Sequence, residues 1–596
     1  MRTKLLRTLA AVLVTASAAT LHQAQEKAQA VSTPASTCSR ESALSIVEQQ
    51  INLSKTIDNN VRRIAVLLRG ADLLWPYQQD KARVSLTDAF DIATRDFKQK
   101  GEGDTTEGRL HVQGVDQRYT VIAAIAKHDS AWARKLSKQI LDEEAQEAAD
   151  KANKDATKDA RTGEKLLITA NSLLNTDQAT ALGFARSSLT YPATLMLPSF
   201  LYKLSEVNKP AADQFYLEAL NAYSRAPMDQ FLYLSSYPFA ARREVGEMPA
   251  WTYYAVPSAL TPNPSLQRSF VLMLIGRARE LIENPAASTS GSRFSDAGQI
   301  FMALTRLEPM IAASLPDLSG AVAELKGNMA SLLTQSEQKR TADTLTDPPK
   351  RSFDEIIEGA DKIANADRRE STVAIAILNA ADTESLEKLE DAATKLDDLT
   401  LRAKILSYVY FYRSQAAIKQ QKLVEARRLA EKVEEPDQRA YLFGEIATES
   451  LKQVKDPTEA RALLDSVLDV TAKADNSEMK VRAMLVVVHL YAAIDPNRAM
   501  SVLDDVVRVI NRIESINLSG DSVNKRIEGK AFGSYRTLRT PGFNPETVFR
   551  EVGKLDFDGT LYLASNLSDK SLRALLSLTL AEQCLKDLPQ AKPKPN

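Results

Sequence analysis

The chain has 596 residues, of which 26% are charged, and its 76 basic and 77 acidic residues leave a formal net charge of −1. That balance excludes the strongly basic surface of a nucleic-acid binder, and the length exceeds one ordinary core, so several domains or a repeat array are required. Glycine is only 21 of 596, about half the usual share of roughly 7%, and alternating runs of β-branched and aromatic residues are scarce, which points to an all-α chain.

The N-terminus reads MRTKLLRTLAAVLVTASAATL, with Arg2, Lys4 and Arg7 ahead of an apolar run from Leu9 to Leu21 that is too short to span a bilayer. Residues 1–30 are therefore read as a signal peptide, with cleavage after Ala16-Ser17-Ala18 or after Ala28-Gln29-Ala30. Without them the chain carries 72 basic and 76 acidic residues, a net charge of −4. The expected location is exported, periplasmic or extracellular, with no membrane span after signal removal. Ala35-Ser36-Thr37 ahead of Cys38 lacks the large apolar residue of a lipoprotein site. Cys38 and Cys584 lie at opposite ends of the sequence. An extended array would hold them beyond the roughly 7 Å limit for a bridge, so two free or buried thiols are expected.

The first helical pair follows. Ile64, Leu67, Leu68, Ala71, Leu74 and Trp75 fall on one helix face and Pro76 ends the stripe; Ala82, Leu86, Ala89, Phe90, Ala93 and Phe97 form a second, with Asp80 placed to cap it. The pattern recurs at Tyr119–Ala126 with HDSAWARKLSKQIL, at Leu166–Leu174 with NTDQATALGFARSSL, and at Phe200–Val207 with NKPAADQFYLEAL.

The C-terminal half repeats more regularly. KLDDLTLRAKIL (395–406), KVEEPDQRAYLF (432–443) and NLSDKSLRALLS (566–577) align on an Arg-Ala pair, with an apolar residue six before the arginine and an acidic turn between; a fourth copy at Arg482-Ala483 keeps the second half. DPTEARALLDSV (456–467) and DPNRAMSVLDDV (495–506) place proline at the first position of a helix. Hairpins of this kind bury their apolar faces only by stacking. The pattern over residues 41–510 resembles the tetratricopeptide and related αα-hairpin solenoids, although no copy carries the Trp and Gly-Tyr positions of the full consensus. The chain also looks like exported bacterial helical-repeat proteins. The resemblance implies an α-solenoid of stacked helical hairpins in two helical segments, acting through protein partners.

Composition marks the boundaries. An N-terminal repeat domain is expected over 38–336, with an aromatic and proline-rich loop at 227–264. A polar linker follows at 337–352, then a second repeat domain at 353–514, an irregular basic loop at 515–544 and capping helices at 545–586. Flexible loops are expected at 99–108 and 284–295.

No catalytic, cofactor or metal motif emerges. His111, His128 and His489 lack a His or Cys partner at helical spacing. His489 sits in an apolar run and reads as a core residue; His128-Asp129-Ser130 reads as a capping turn, because adjacent residues cannot form a triad. Ser336-x-x-Lys339 lacks companion motifs, and Glu41-Ser42-Ala43 precedes a plain amphipathic helix. The charged run 142–161 pairs Glu147 with Lys151 and Asp150 with Lys154 on a solvated helix. No cofactor and no nucleic acid are expected.

Two stretches remain as candidate binding surfaces. Lys525, Arg526, Lys530, Arg536 and Arg539, interleaved with Phe532 and Tyr535, would face an anionic glycan, a lipid or an acidic partner if they are more than a solvated loop. Tyr233, Tyr237, Phe239, Trp251, Tyr253 and Tyr254 cluster in the stretch YLSSYPFAARREVGEMPAWTYYAVP. The favoured reading there is a rigid aromatic flap lying across the solenoid. The alternative is a ligand platform, as in helical-repeat nutrient receptors that bind glycans, with Tyr237, Trp251 and Tyr254 stacking on sugar. The expected function is a structural or protein-interaction module; glycan binding stands second and an enzyme third.

Overall fold

The computed structural model describes residues 38–587 except 102–103, 108–109, 114–115, 151–155, 241–255, 286–293, 346–350, 455–456 and 531. The predicted signal peptide lies outside the described residues. The chain divides into two compact units: a central one, Ser54–Glu355, and a terminal one that joins residues up to Leu53 with those from Ile356 onward. The N-terminal helix α1 (Arg40–Ser54) thus belongs, but for its last residue, with the C-terminal half rather than with the expected 38–336 domain.

In the central unit the hairpins are α2 (Asn60–Leu74) with α3 (Gln79–Lys100), α4 (Gln117–Ala126) with α5 (Ser130–Asp150), and α6 (Ala156–Leu173) with α7 (Gln178–Ser188). The long α8 (Met196–Ala222) leaves helical geometry at Asn208, whose side chain caps Ala211 N at 3.1 Å. The first helices α2, α4, α6 and α8 pack side by side, the stacking that the stripe of buried residues Ile64, Leu67, Ala71 and Leu74 requires. The short helices α9 (Met228–Leu232) and α10 (Ser236–Phe239) follow, then α11 (Pro264–Glu283), α12 (Asp296–Ser314), α13 (Ser319–Leu332) and α14 (Gln335–Leu345). Every fully buried aliphatic or aromatic side chain on these helices contributes about 1.5–3 kcal/mol.

Three expectations need correction here. The loop expected at 99–108 contains a strand: β1 (Asp104–Glu107) pairs antiparallel with β2 (Leu110–Gln113), Thr105 opposite Val112. The cap of α3 is Gln78 without a side-chain bond, and Asp80 sits inside the first turn. The expected linker begins as a helix, α14, because buried Glu337 and Thr341 give that polar stretch an inward face.

The terminal unit continues with α15 (Phe353–Ala360), which contains the division point, and with the pairs α16 (Ala366–Ala380) and α17 (Leu386–Ala393), α18 (Leu399–Lys419) and α19 (Leu423–Ala430), α20 (Pro436–Val454) and α21 (Pro457–Lys473), and α22 (Glu478–Ile494) and α23 (Pro496–Ile510). Proline stands at the first position of α21 and α23 as the sequence predicts, and Asp495 caps α23 through Arg498 N. The repeated arginine has a definite task. Arg402 Nη2 donates to Leu396 O at 2.6 Å, and Arg439 Nε donates to Val433 O at 2.9 Å. Each side chain reaches back six residues and satisfies a carbonyl just past the end of the preceding helix, where no intrahelical donor exists. In the fourth copy Lys480 takes over this bond, to Ala474 O at 2.9 Å. That leaves Arg482 to hold Asn517 O and Phe543 O, each at 3.1 Å.

The segment expected to be an irregular basic loop is a β-hairpin, β3 (Ser522–Glu528) with β4 (Gly533–Arg539), in register from Ser522 opposite Arg539 to Glu528 opposite Gly533. Helices α24 (Pro545–Leu555), α25 (Phe557–Ser565) and α26 (Lys570–Asp587) close the unit. The thiols expected to be free form a disulfide, Cys38–Cys584, with Cα atoms 5.7 Å apart. The expectation failed because α1 joins the terminal unit, where Ala43, Ile46 and Val47 are buried.

Candidate binding groove

Helices α2, α4 and α6 line an open groove of about 710 Å³ in the central unit. Its floor is apolar: Val61, Ala65 and Leu68 from α2, Ala123 and Ala124 from α4, and Ile168 from α6. Val61 and Ala65 sit off the stripe that packs the hairpins, and Leu68 stands at its edge, so burial does not fully claim them. Val61 is 48% and Ile168 54% exposed, among the most open large aliphatic side chains of the unit. The small side chains of α4 keep the middle of the floor low.

Charged groups hold both ends. At the start of α4, Asp116 accepts from Arg118 Nη2 at 2.8 Å and from Lys165 Nζ at 3.1 Å, with its own side chain fully buried. Burial pushes this carboxyl up, but the hydrogen bond from Arg118 and the charges of Lys165 and Arg118 outweigh it and hold it below the usual carboxylate range. The Arg118 guanidinium lies 3.4 Å from the Phe97 ring centre.

At the C-terminal ends of α2 and α4, His128 Nε2 meets Asp72 Oδ1 at 2.7 Å, and its ring stacks on Trp75 with centroids 4.6 Å apart. The hydrogen bond from His128 holds Asp72 below its ordinary value. Arg83 lies between Trp75 and Trp132, 5.2 and 5.4 Å from their rings, and pairs with Asp129 at 2.7 Å. The predicted capping turn is present, Asp129 Oδ1 accepting from Trp132 N. What the sequence reading missed is that His128 also crosses to the neighbouring hairpin.

The aromatic candidates lie elsewhere and in another environment. Tyr237 is 2% exposed and donates to Asp213 Oδ1 at 2.8 Å; burial, with Asp213 beside it, pushes its phenol well up. Phe239 is buried edge-on against Phe270, which also stacks on Phe231 at 5.2 Å. Tyr233 is half-buried, and burial raises its hydroxyl too. Tyr237 and Phe239 belong to a short helical turn in the core, where their rings pack against Tyr202 and Tyr216 of α8 and Phe270 of α11 rather than forming a platform. Trp251, Tyr253 and Tyr254 lie outside the described residues.

The basic candidates are likewise committed. Lys525 pairs with Glu435 at 2.7 Å and with Asp437 at 2.6 Å, Lys530 with Asp367 at 3.0 Å, Arg539 with Asp521 at 3.5 Å, and Arg526 with Glu528. Arg536 stands opposite Lys525 in the strand register. The four basic side chains other than Arg536 thus each meet a carboxylate, Lys525 in a nearly buried setting and Lys530 and Arg539 in the open. His489, expected in the core, is part-buried and pairs with Glu551 at 2.6 Å. Ser336 and Lys339 lie on α14, where the neighbouring Glu337 is the residue that matters: its Oε1 accepts from Ser295 N and Oγ, both at 2.7 Å, at the start of α12. Among the described residues no cluster of three His, Cys, Asp or Glu side chains could hold a metal, and no helix is long and apolar enough to cross a membrane.

No protein-family model matches the sequence, and none of the curated proteins matches it. Among solved structures the chain is similar to the crystal structure of the yeast Tom70, at 12% identity over 89% of this chain and 96% of that one, TM-score 0.21. It is similar to a homology model of the full-length AP-3 complex in an intermediate open conformation, at 11% identity over 95% of this chain and all of that one, TM-score 0.21. It is also similar to a circular tandem repeat protein with novel repeat topology, at 11% identity over 92% and 97%, TM-score 0.12. The functional reading rests on the groove's own geometry.

Proposed function

We propose that this chain is an exported, non-enzymatic interaction module that takes a segment of a partner protein into the groove of α2, α4 and α6. The observation that carries this is the open apolar floor with Val61 and Ile168 exposed between ion-paired ends. Exposed aliphatic side chains in a concave face are the usual footing for a partner's apolar residues. Charge-paired rims orient the segment and disfavour unmatched ones. Export is supported by the leader pattern of residues 1–30 and by the Cys38–Cys584 bridge, a bond that oxidising compartments preserve.

The test is photo-crosslinking from position 123 in the exported full-length chain. A partner protein captured by wild type and lost with Ile168→Asp is expected; capture that Ile168→Asp leaves unchanged would place the partner elsewhere and overturn the reading.

A further inference from the structure

We propose that the β3–β4 hairpin is a hinged strap, latched by Lys525, that covers the face of α18 and α20 and opens as a unit without unfolding the repeats. The two strands pair over seven residues each, and Thr537 Oγ1 donates across them to Asn524 Oδ1 at 2.8 Å, so the hairpin holds its own shape. Its base is narrow. Thr540 N donates to Asp521 O at 3.0 Å, and Gly520, with φ +76°, makes the turn into β3 in the left-handed region that glycine favours. Beyond the base, Arg482 fixes both flanks through Asn517 O and Phe543 O. The segments on either side of the hairpin therefore stay with α22 when the hairpin moves.

The attachments along the hairpin are graded. Midway along β3 Lys525 is 13% exposed and reaches Glu435 and the fully buried Asp437 at the start of α20. At the tip Lys530 meets Asp367 of α16 with both side chains open to water, a pair worth little. Between them the hairpin lies over Lys404, Ser407 and Tyr408 of α18, leaving only about 30 Å³ beneath it. Among the described side chains, a buried latch at Lys525 and a weak contact at the tip, with a glycine hinge, make an element whose opening costs less than unfolding the helices below.

Hydrogen exchange of the full-length protein tests this. In wild type, the amides of 522–539 should exchange at least tenfold faster than those in the middle of α22, the tip fastest. In Lys525→Gln, exchange at 522–539, around 404–408 of α18 and in the first turns of α20 should rise about tenfold further, while α22–α26 keep their protection; Lys530→Gln should speed the tip alone, about twofold. The wild-type measurement stands even if Lys525→Gln does not fold. Hairpin amides exchanging at the same rate as α22 in wild type, or a Lys525→Gln effect spread evenly through α22–α26, would overturn the proposal.

Discussion

The two units present the first helices of their hairpins differently. In the central unit the face of α2, α4 and α6 is open, with about 710 Å³ above an apolar floor. In the terminal unit the chain's own β-hairpin lies on α18 and α20 and leaves about 30 Å³. Both faces arise from the same construction, in which stacking uses one stripe of each helix and leaves the adjacent one over. What differs is the chemistry of the surplus: alanine, valine and isoleucine in one, Glu435, Asp437 and Ser407 in the other. The off-stripe residues of a repeat array thus set whether a face stays open or is covered by the chain itself.

Four measurements would break or sharpen this contrast, and tryptophan makes them separable, because Trp75, Trp132 and Trp251 all fall in the sequence of the central unit. The largest effect should come from Asp116→Ala, which strands Arg118 and Lys165 at the groove's end. A loss of about 3–5 kcal/mol is expected, read as a lower urea midpoint by tryptophan fluorescence. Next, Arg482→Ala should cost the terminal unit about 2–3 kcal/mol by leaving the Asn517 and Phe543 carbonyls short of a donor. That loss should appear in far-UV circular dichroism with the fluorescence transition unmoved.

Acid should separate the units as well. Asp72, Asp96, Asp116, Asp129 and Asp177 of the central unit are all held below their ordinary value. Their stabilisation is present above about pH 4 and is lost as pH falls through the lowered values. In the terminal unit, burial raises Asp437 and Glu445; their contribution is present below the ordinary value and is lost as pH rises through the raised one. Glu435, lowered because Lys525 outweighs its burial, opposes this in part. Acidification from pH 5 to 2 should therefore shift the fluorescence transition before the remaining dichroism transition; the reverse order would break the comparison. The smallest stability effect belongs to Ile168→Asp, within about 0.5 kcal/mol by urea titration, since that side chain already faces water.

Much of the fold was legible because helix signals are local. Pro457 and Pro496 announce their helices, and the stripe through Ile64, Leu67 and Ala71 gives the packed face directly. The Arg-Ala repeat was visible, while its meaning was not: the bond from Arg402 to Leu396 O depends on how the chain turns between two helices. The groove was illegible because its floor is shared by three helices far apart in sequence. Its one available signal was Val61 and Ala65, apolar residues that the packing stripe did not use. The aromatic stretch left two readings for a related reason: ring density marks a core as readily as a platform, and the partners of Tyr237 and Phe239 place those two rings in packing. In the basic segment Val523, Lys525 and Ile527 alternate with the exposed Asn524, Arg526 and Glu528, a strand period masked by the weight of charge.

The Cys38–Cys584 bond spans 546 positions of sequence. A tensile load applied between the segment before Cys38 and the segment after Cys584 would pass through two sulfur atoms and bypass the repeats between them. A pull from outside these two cysteines works against a covalent strut, so the hairpin stacks feel no stretch until the bridge is reduced. In single-molecule pulling on handles placed before Cys38 and after Cys584, the oxidised chain should show no unfolding events from the repeats, and thiol reductant should make such events appear.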